Sequence, residues 1–182
     1  MEDILNQLAM LNYSGAPFLI AYGITWNICG WIWKRSNCRI ASLATLFQGM
    51  IALPIALFLM YLIGAFNNRP DTGIFNSLII IIAMSQLLVL PLLISMFRKR
   101  HYTSIPFVFS SVAAVHFLMY TWMYQTFSYT LMAILIVISI SIIYGRKINN
   151  DKILSSEAAF ACFSTGSLLL LNAIYLIVSH IL

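Results

Sequence analysis

At 182 residues the chain has the length of one ordinary domain. Its composition excludes a water-soluble one: 62% of residues are hydrophobic, 8% are charged and mean hydropathy is +0.92, against about 45–50% apolar and about 25% charged in globular proteins. Twelve Phe, four Trp and nine Tyr exclude disorder, and the net charge of +5 comes from ten Lys+Arg against five Asp+Glu.

In chain order, residues 2–12 place Ile4, Leu5, Leu8 and Leu11 on one helical face. This predicts a short interfacial helix within residues 1–17, leading through Gly15 and Pro17 into a first span. Glu2 and Asp3 stand where a secretory leader would carry Lys or Arg, so the first span is expected to be retained. Six apolar runs follow: Phe18–Trp33, Ile40–Phe66, Phe75–Phe97, Pro106–Gln125, Phe127–Tyr144 and Ala158–Ile181. A hydrocarbon core of roughly 30 Å needs about 20 helical residues. The expected fold is therefore all-α, one six-helix transmembrane bundle over residues 1–182. Four spans is the competing count, with the fourth and fifth runs re-entrant.

Punctuation supports these limits. Pro106 suits the first turn of span four and Gly145 the end of span five. Ser155 or Ser156 is placed to cap span six, with Glu157 at its positive dipole end. The run from Asn67 to Gly73 reads as the longest outer loop. Pro54 and Pro91 lie within spans two and three and would kink them.

The basic residues fall into three clusters, each after an apolar run: Lys34, Arg35 and Arg39; Arg98, Lys99 and Arg100; Arg146, Lys147 and Lys152. Only Arg69 stands apart. The positive-inside bias then puts the first, third and fifth connections in the cytoplasm and both termini outside, as an even span count requires. The expected setting is a multi-pass protein of the inner (cytoplasmic) membrane, with anionic lipid headgroups as partners of the basic loops. Because the charges sit at span ends, nucleic acid is not an expected partner. Cys29, Cys38 and Cys162 have no metal or disulfide spacing.

No Asp, Glu, Lys or Arg falls inside a predicted span, which argues against carboxylate-based ion coupling. The polar residues that do are Asn27, Gln48, Ser85, Gln86, His116, Tyr120, Thr165, Ser167 and Asn172. Six of them, Asn27, Gln48, Gln86, His116, Tyr120 and Asn172, are candidates to line a midplane cavity; the alternative is ordinary interhelical hydrogen bonding. His116, Met119, Tyr120 and Met123 share a helical face. Imidazole and thioether groups suit a soft ion, so His116, Met119 and Met123 are metal candidates, with core packing as the alternative. The small residues Ala158, Ala159, Ala161, Cys162, Gly166 and Ser167 permit close helix approach inside the bundle or in a homo-oligomer. Trp31, Trp33, Trp122, Tyr124 and Tyr129 read as interfacial belt residues. GxSxG, Walker and GxGxxG patterns are absent, so no cofactor is expected.

Several strings resemble a bacterial family of small multi-span inner-membrane proteins of unknown function. They are Tyr13-Ser14-Gly15-Ala16-Pro17, the run Thr45 to Met50 followed by Pro54, Leu90-Pro91, and the His-aromatic stretch from His116 to Tyr124. The resemblance covers roughly residues 13–130. It implies a bacterial membrane protein and supplies no ligand or reaction.

Three readings follow. A small permease or channel predicts that Gln48, Gln86, His116 and Asn172 line one water-accessible space. A non-transporting sensor, immunity or docking module predicts a closed bundle with its polar groups individually paired. A lipid- or quinone-modifying enzyme requires a lateral opening beside His116 or Cys29.

Overall fold

The computed structural model describes residues 2–67, 74–145 and 151–181. Among them every regular element is helical: α1 (Glu2–Leu11), α2 (Ala16–Arg35), α3 (Cys38–Leu62), α4 (Ile74–Ser85), α5 (Leu90–Arg98), α6 (Ile105–Met123), α7 (Ser128–Tyr144) and α8 (Asp151–Ile181), with short 3-10 turns at Tyr13–Gly15, Gln86–Val89 and Tyr102–Ser104. Four stretches are long and apolar enough to cross a membrane: Cys38–Leu62, Ile80–Arg98, Tyr102–Met123 and Ser155–Ile181. By length and composition these are the helices of a membrane protein. The other two predicted spans form helices outside that group. In α2 the 20 residues are diluted by Tyr22, Thr25, Asn27 and three tryptophans, and α7 is apolar but only 17 residues long.

The centre of the molecule is the crossing of α2 and α8, which run antiparallel: Tyr13 meets His180 at one end and the Trp33 carbonyl accepts from Ser155 at the other. Gly166 makes their approach possible. A methyl group there would come within 2.5 Å of Asn27 Nδ2 and 2.7 Å of the Gly23 carbonyl oxygen. Around this contact Ala158, Ala159, Ala161 and Cys162 are buried, so the small stripe of α8 is used for packing within one chain. α3 lies against the other side of α2, where Trp33 Nε1 donates to Thr45 Oγ1 at 3.0 Å. Trp26, fully buried, packs on Phe109 of α6 with ring centroids 5.4 Å apart.

Helix ends follow local chemistry. Asn37 caps α3 by accepting from the Ile40 N–H at 2.9 Å. At the C-terminal end, Gly64 adopts φ 70° while Ala65 N–H returns to the Met60 carbonyl. That left-handed stop ends the second run short of Phe66. Arg100 occupies the equivalent position after α5, at φ 63°. Pro54 is accommodated inside α3. Pro91 instead sits in the first turn of α5, and the run ahead of it breaks into the 3-10 turn Gln86–Val89.

Three expectations are corrected. α8 begins at Asp151, upstream of Ser155, so Ser155 lies within the helix and its hydroxyl reaches the Trp33 carbonyl at 3.3 Å. Glu157 is consequently a buried residue of a membrane-length helix, where no acidic residue was expected. Trp33, Tyr124 and Tyr129 are buried, unlike the exposed Trp31 and Trp122, so they are core groups and not belt residues. α1 turns Leu5, Leu8 and Ala9 into the protein. The expected outer loop from Asn67 to Gly73 lies outside the described residues beyond Asn67.

Replacing Gly166 by Val should destabilise the chain by about 1–3 kcal/mol, the usual cost of overpacking. Gly166→Ala should cost less. Thermal unfolding in detergent measures both, and an unchanged midpoint for Val would show that the crossing can spread without loss.

Candidate functional site

Two groups of polar and aromatic side chains stand out, one near the middle of the bundle and one at the end that carries Tyr13. In the middle, several polar residues are tied to a neighbouring helix. Thr165 Oγ1 donates to Ser110 Oγ at 2.9 Å, Ser164 Oγ to Ser139 Oγ at 2.8 Å, and Thr121 and Thr130 share a bond of 2.8 Å. These pairs link α6 to α8, α7 to α8 and α6 to α7.

The six cavity candidates are divided among different partners. Asn27, on α2, donates from Nδ2 to the Gly23 carbonyl at 2.8 Å and lies at the Gly166 crossing. Gln48 is buried on α3, with Oε1 2.7 Å from Thr25 Oγ1 and Nε2 without a partner. Thr25 has one proton, and the Tyr22 carbonyl also lies 3.0 Å from its hydroxyl. Turning the Gln48 amide by half a rotation lets Nε2 donate to Thr25 while Thr25 donates to the Tyr22 carbonyl. Gln86 is half-buried in the 3-10 turn between α4 and α5. Asn172 is buried on α8, with Nδ2 unpartnered.

His116 is buried on α6, its Nδ1 3.1 Å from Ser85 Oγ. Ser85 in turn donates to the Ile82 carbonyl at 2.7 Å. With the hydroxyl proton used there, Nδ1 of His116 carries the hydrogen and donates to Ser85, leaving Nε2 as an acceptor. Tyr120, one turn on, packs edge-on to the imidazole with centroids 5.1 Å apart. The structure thus brings together Ser85, His116 and Tyr120. Of the metal candidates, His116 and Met123 are buried whereas Met119 is exposed. Among the described residues no group of three or more His, Cys, Asp or Glu is placed to hold a metal ion.

The second group was only partly visible in the sequence. Tyr13, Ser14 and Gly15 all have positive φ, at 50°, 51° and 84°. For the two non-glycine residues this conformation costs roughly 1–2 kcal/mol each, so contacts must hold it. Tyr129 donates to the Ser14 carbonyl at 2.6 Å, Asn12 Nδ2 donates to the Tyr124 hydroxyl at 3.2 Å, and Ser14 Oγ lies 2.9 Å from His180 Nε2. Tyr120, Tyr124 and Tyr129 stack around one another with centroids 5.7–5.8 Å apart. Gly15 sits against two of those rings: a methyl there would meet Tyr124 at 2.9 Å and Tyr129 Oη at 3.0 Å. The signals available were the Tyr13–Pro17 string and the spacing of Tyr120 and Tyr124; nothing marked Ser14 or His180. Beside this turn, Tyr13 and Pro17 line a cavity of about 270 Å3 together with Leu59, Ile63 and Ile177. That cavity touches none of Gln48, Gln86, His116 or Asn172.

A family model matches residues 1–178, nearly the whole chain. The chain belongs to DUF7010, a family of unknown function. The match extends well past the 13–130 stretch on which the resemblance was read, through the last two helices. No curated protein and no solved structure matches.

Tyr129→Phe removes the donor that satisfies the buried Ser14 carbonyl. We expect a loss of about 1–3 kcal/mol, read as a lower unfolding midpoint in detergent. No change would show that the left-handed turn is held by its other contacts.

Proposed function

We propose that this DUF7010 chain is a non-transporting membrane module, a closed helical bundle that presents a basic face for docking or sensing. The observation that carries this reading is the pairwise use of span polar groups: Ser110 with Thr165, Ser139 with Ser164, Thr121 with Thr130, Ser85 with His116 and Thr25 with Gln48. A water-filled path needs such groups to face a common space, whereas pairing of this kind is how packed membrane helices use them.

The finer architecture belongs to the same proposal. The chain crosses the inner membrane of a bacterial cell six times, with α2 and α7 completing the set and both ends outside. Supporting this threading, Lys34, Arg35, Arg39, Arg98, Lys99 and Arg100 are all exposed, and contacts place them at one end of the bundle. Trp33 and Ser155 meet there, as do Tyr144 and the Thr103 carbonyl. Six cations beside a bilayer favour anionic lipid headgroups as the docking surface, each contributing about 1 kcal/mol near the surface. Arg146, Lys147 and the side chain of Lys152 lie outside the described residues.

A second reading, a small permease, is favoured by one observation. The third apolar segment tightens into a 3-10 turn at Gln86–Val89, between α4 and α5 and beside the Ser85–His116 pair. A mid-helix 3-10 stretch often marks a functional hinge.

Accessibility separates the two. With the native cysteines replaced, Gln48→Cys, His116→Cys and Asn172→Cys in proteoliposomes should resist a membrane-impermeant thiol reagent from either side. Labelling of two or more would favour the permease. Native Cys38, half-buried beside the first basic cluster, should react only from the cytoplasmic side. Converting Arg98, Lys99 and Arg100 to Glu should erode that sidedness. Labelling of native Cys38 from outside intact cells would invert the threading.

A further inference from the structure

We infer that the cleft at the Tyr13 end of the bundle holds one acyl chain of a membrane phospholipid. Its walls come from three helices near one end: Pro17 and Ile20 of α2, Leu59 near the end of α3 with Ile63 just beyond it, and Ile177 of α8. The walls are almost wholly hydrocarbon, so a water molecule inside would lack the two or more polar partners it needs. Hydrocarbon is the occupant they suit.

The position of the cleft says where that hydrocarbon comes from. Ile63 and Ile181 both line it and are 42% and 72% exposed, so it opens between the ends of α3 and α8. Phe58, Tyr61 and Leu62 on α3, and Ile174 and Val178 on α8, continue the exposed apolar surface on either side. In a bilayer that surface is bathed in lipid, and the cleft is an inlet from it.

Tyr13 lines the cleft and packs edge-on to His180, whose Nε2 lies 2.9 Å from Ser14 Oγ. A slot of aliphatic walls with Tyr13 at its rim complements an amphiphile: chain inside, ester and headgroup beside the tyrosine. The rim is preformed, because Tyr124 and Tyr129 hold the left-handed turn that carries Tyr13 and Ser14. A site that needs no reordering loses less affinity on binding. This inference depends on membrane residence alone and survives if the closed-bundle reading fails.

Photo-crosslinking tests it. The full chain is placed in liposomes of phosphatidylethanolamine and phosphatidylglycerol containing a phosphatidylethanolamine with a diazirine midway along one acyl chain. Adducts mapped by mass spectrometry should be several-fold denser on residues 13–20 and 174–181 than around Phe47 and Met50, which are exposed on α3 and do not line the cleft. Ile20→Trp and Ile177→Trp fill the slot and should lower the cleft adducts several-fold while leaving those at Phe47 and Met50 unchanged. Ile20→Ala widens it and should retain them if a filling variant fails to fold. Even labelling of all exposed faces, or cleft adducts that persist in folded Ile20→Trp and Ile177→Trp chains, would mean annular lipid only and overturn the assignment.

Discussion

The architecture depends on how closely α2 and α8 approach. In a membrane interior, apolar side chains gain nothing by exchanging lipid for protein, so association rests on tight van der Waals contact and hydrogen bonds. The Gly166 position supplies the first, since no side chain separates it from Asn27 and the Gly23 carbonyl. With that contact made, α3 packs on the opposite side of α2, and α7 and α6 pack on α8 and on each other. The single-hydroxyl bridges among α6, α7 and α8 then fix rotation as well as distance.

The end that carries Tyr13 uses a different device. There the chain passes from α1 into α2 within a few residues, and it does so through three successive residues of positive φ. The strain in such a turn persists only where its surroundings over-determine it. Tyr124 caps the end of α6, Tyr129 lies in the first turn of α7 and His180 in the last turn of α8, so the turn records contacts with three remote parts of the chain. A slot for lipid and a strained turn thus share one set of supports.

Helix placement was legible in the sequence because long apolar runs bounded by Pro, Gly and basic residues leave few alternatives. The 3-10 turn at Gln86–Val89 was less so: Pro91 signalled a disturbance, but whether the α-helix would run on, as it does through Pro54, or tighten depends on neighbours that a one-dimensional pattern does not contain. Glu157 was misplaced because Asp151, Lys152, Ser155 and Ser156 look like a connection, yet they continue the helix. Tyr124 and Tyr129 were misread for a related reason. Position near a span end predicts an aromatic belt, while their burial follows from the turn at Ser14, more than a hundred residues away. Among the polar candidates, Ser85, His116 and Tyr120 come together, whereas Asn27 serves a helix crossing that periodicity could not reveal.

The Asn27 hydrogen bond has a bearing on biogenesis. α8, the principal packing partner of α2, is translated after α2 and after every helix that lies between them. A carboxamide entering hydrocarbon without a mate would carry a large desolvation penalty throughout that interval. By bonding back to the carbonyl four residues earlier, Asn27 brings its own mate along. α2 can therefore wait in lipid, one amide proton already satisfied, until α8 arrives to close over it.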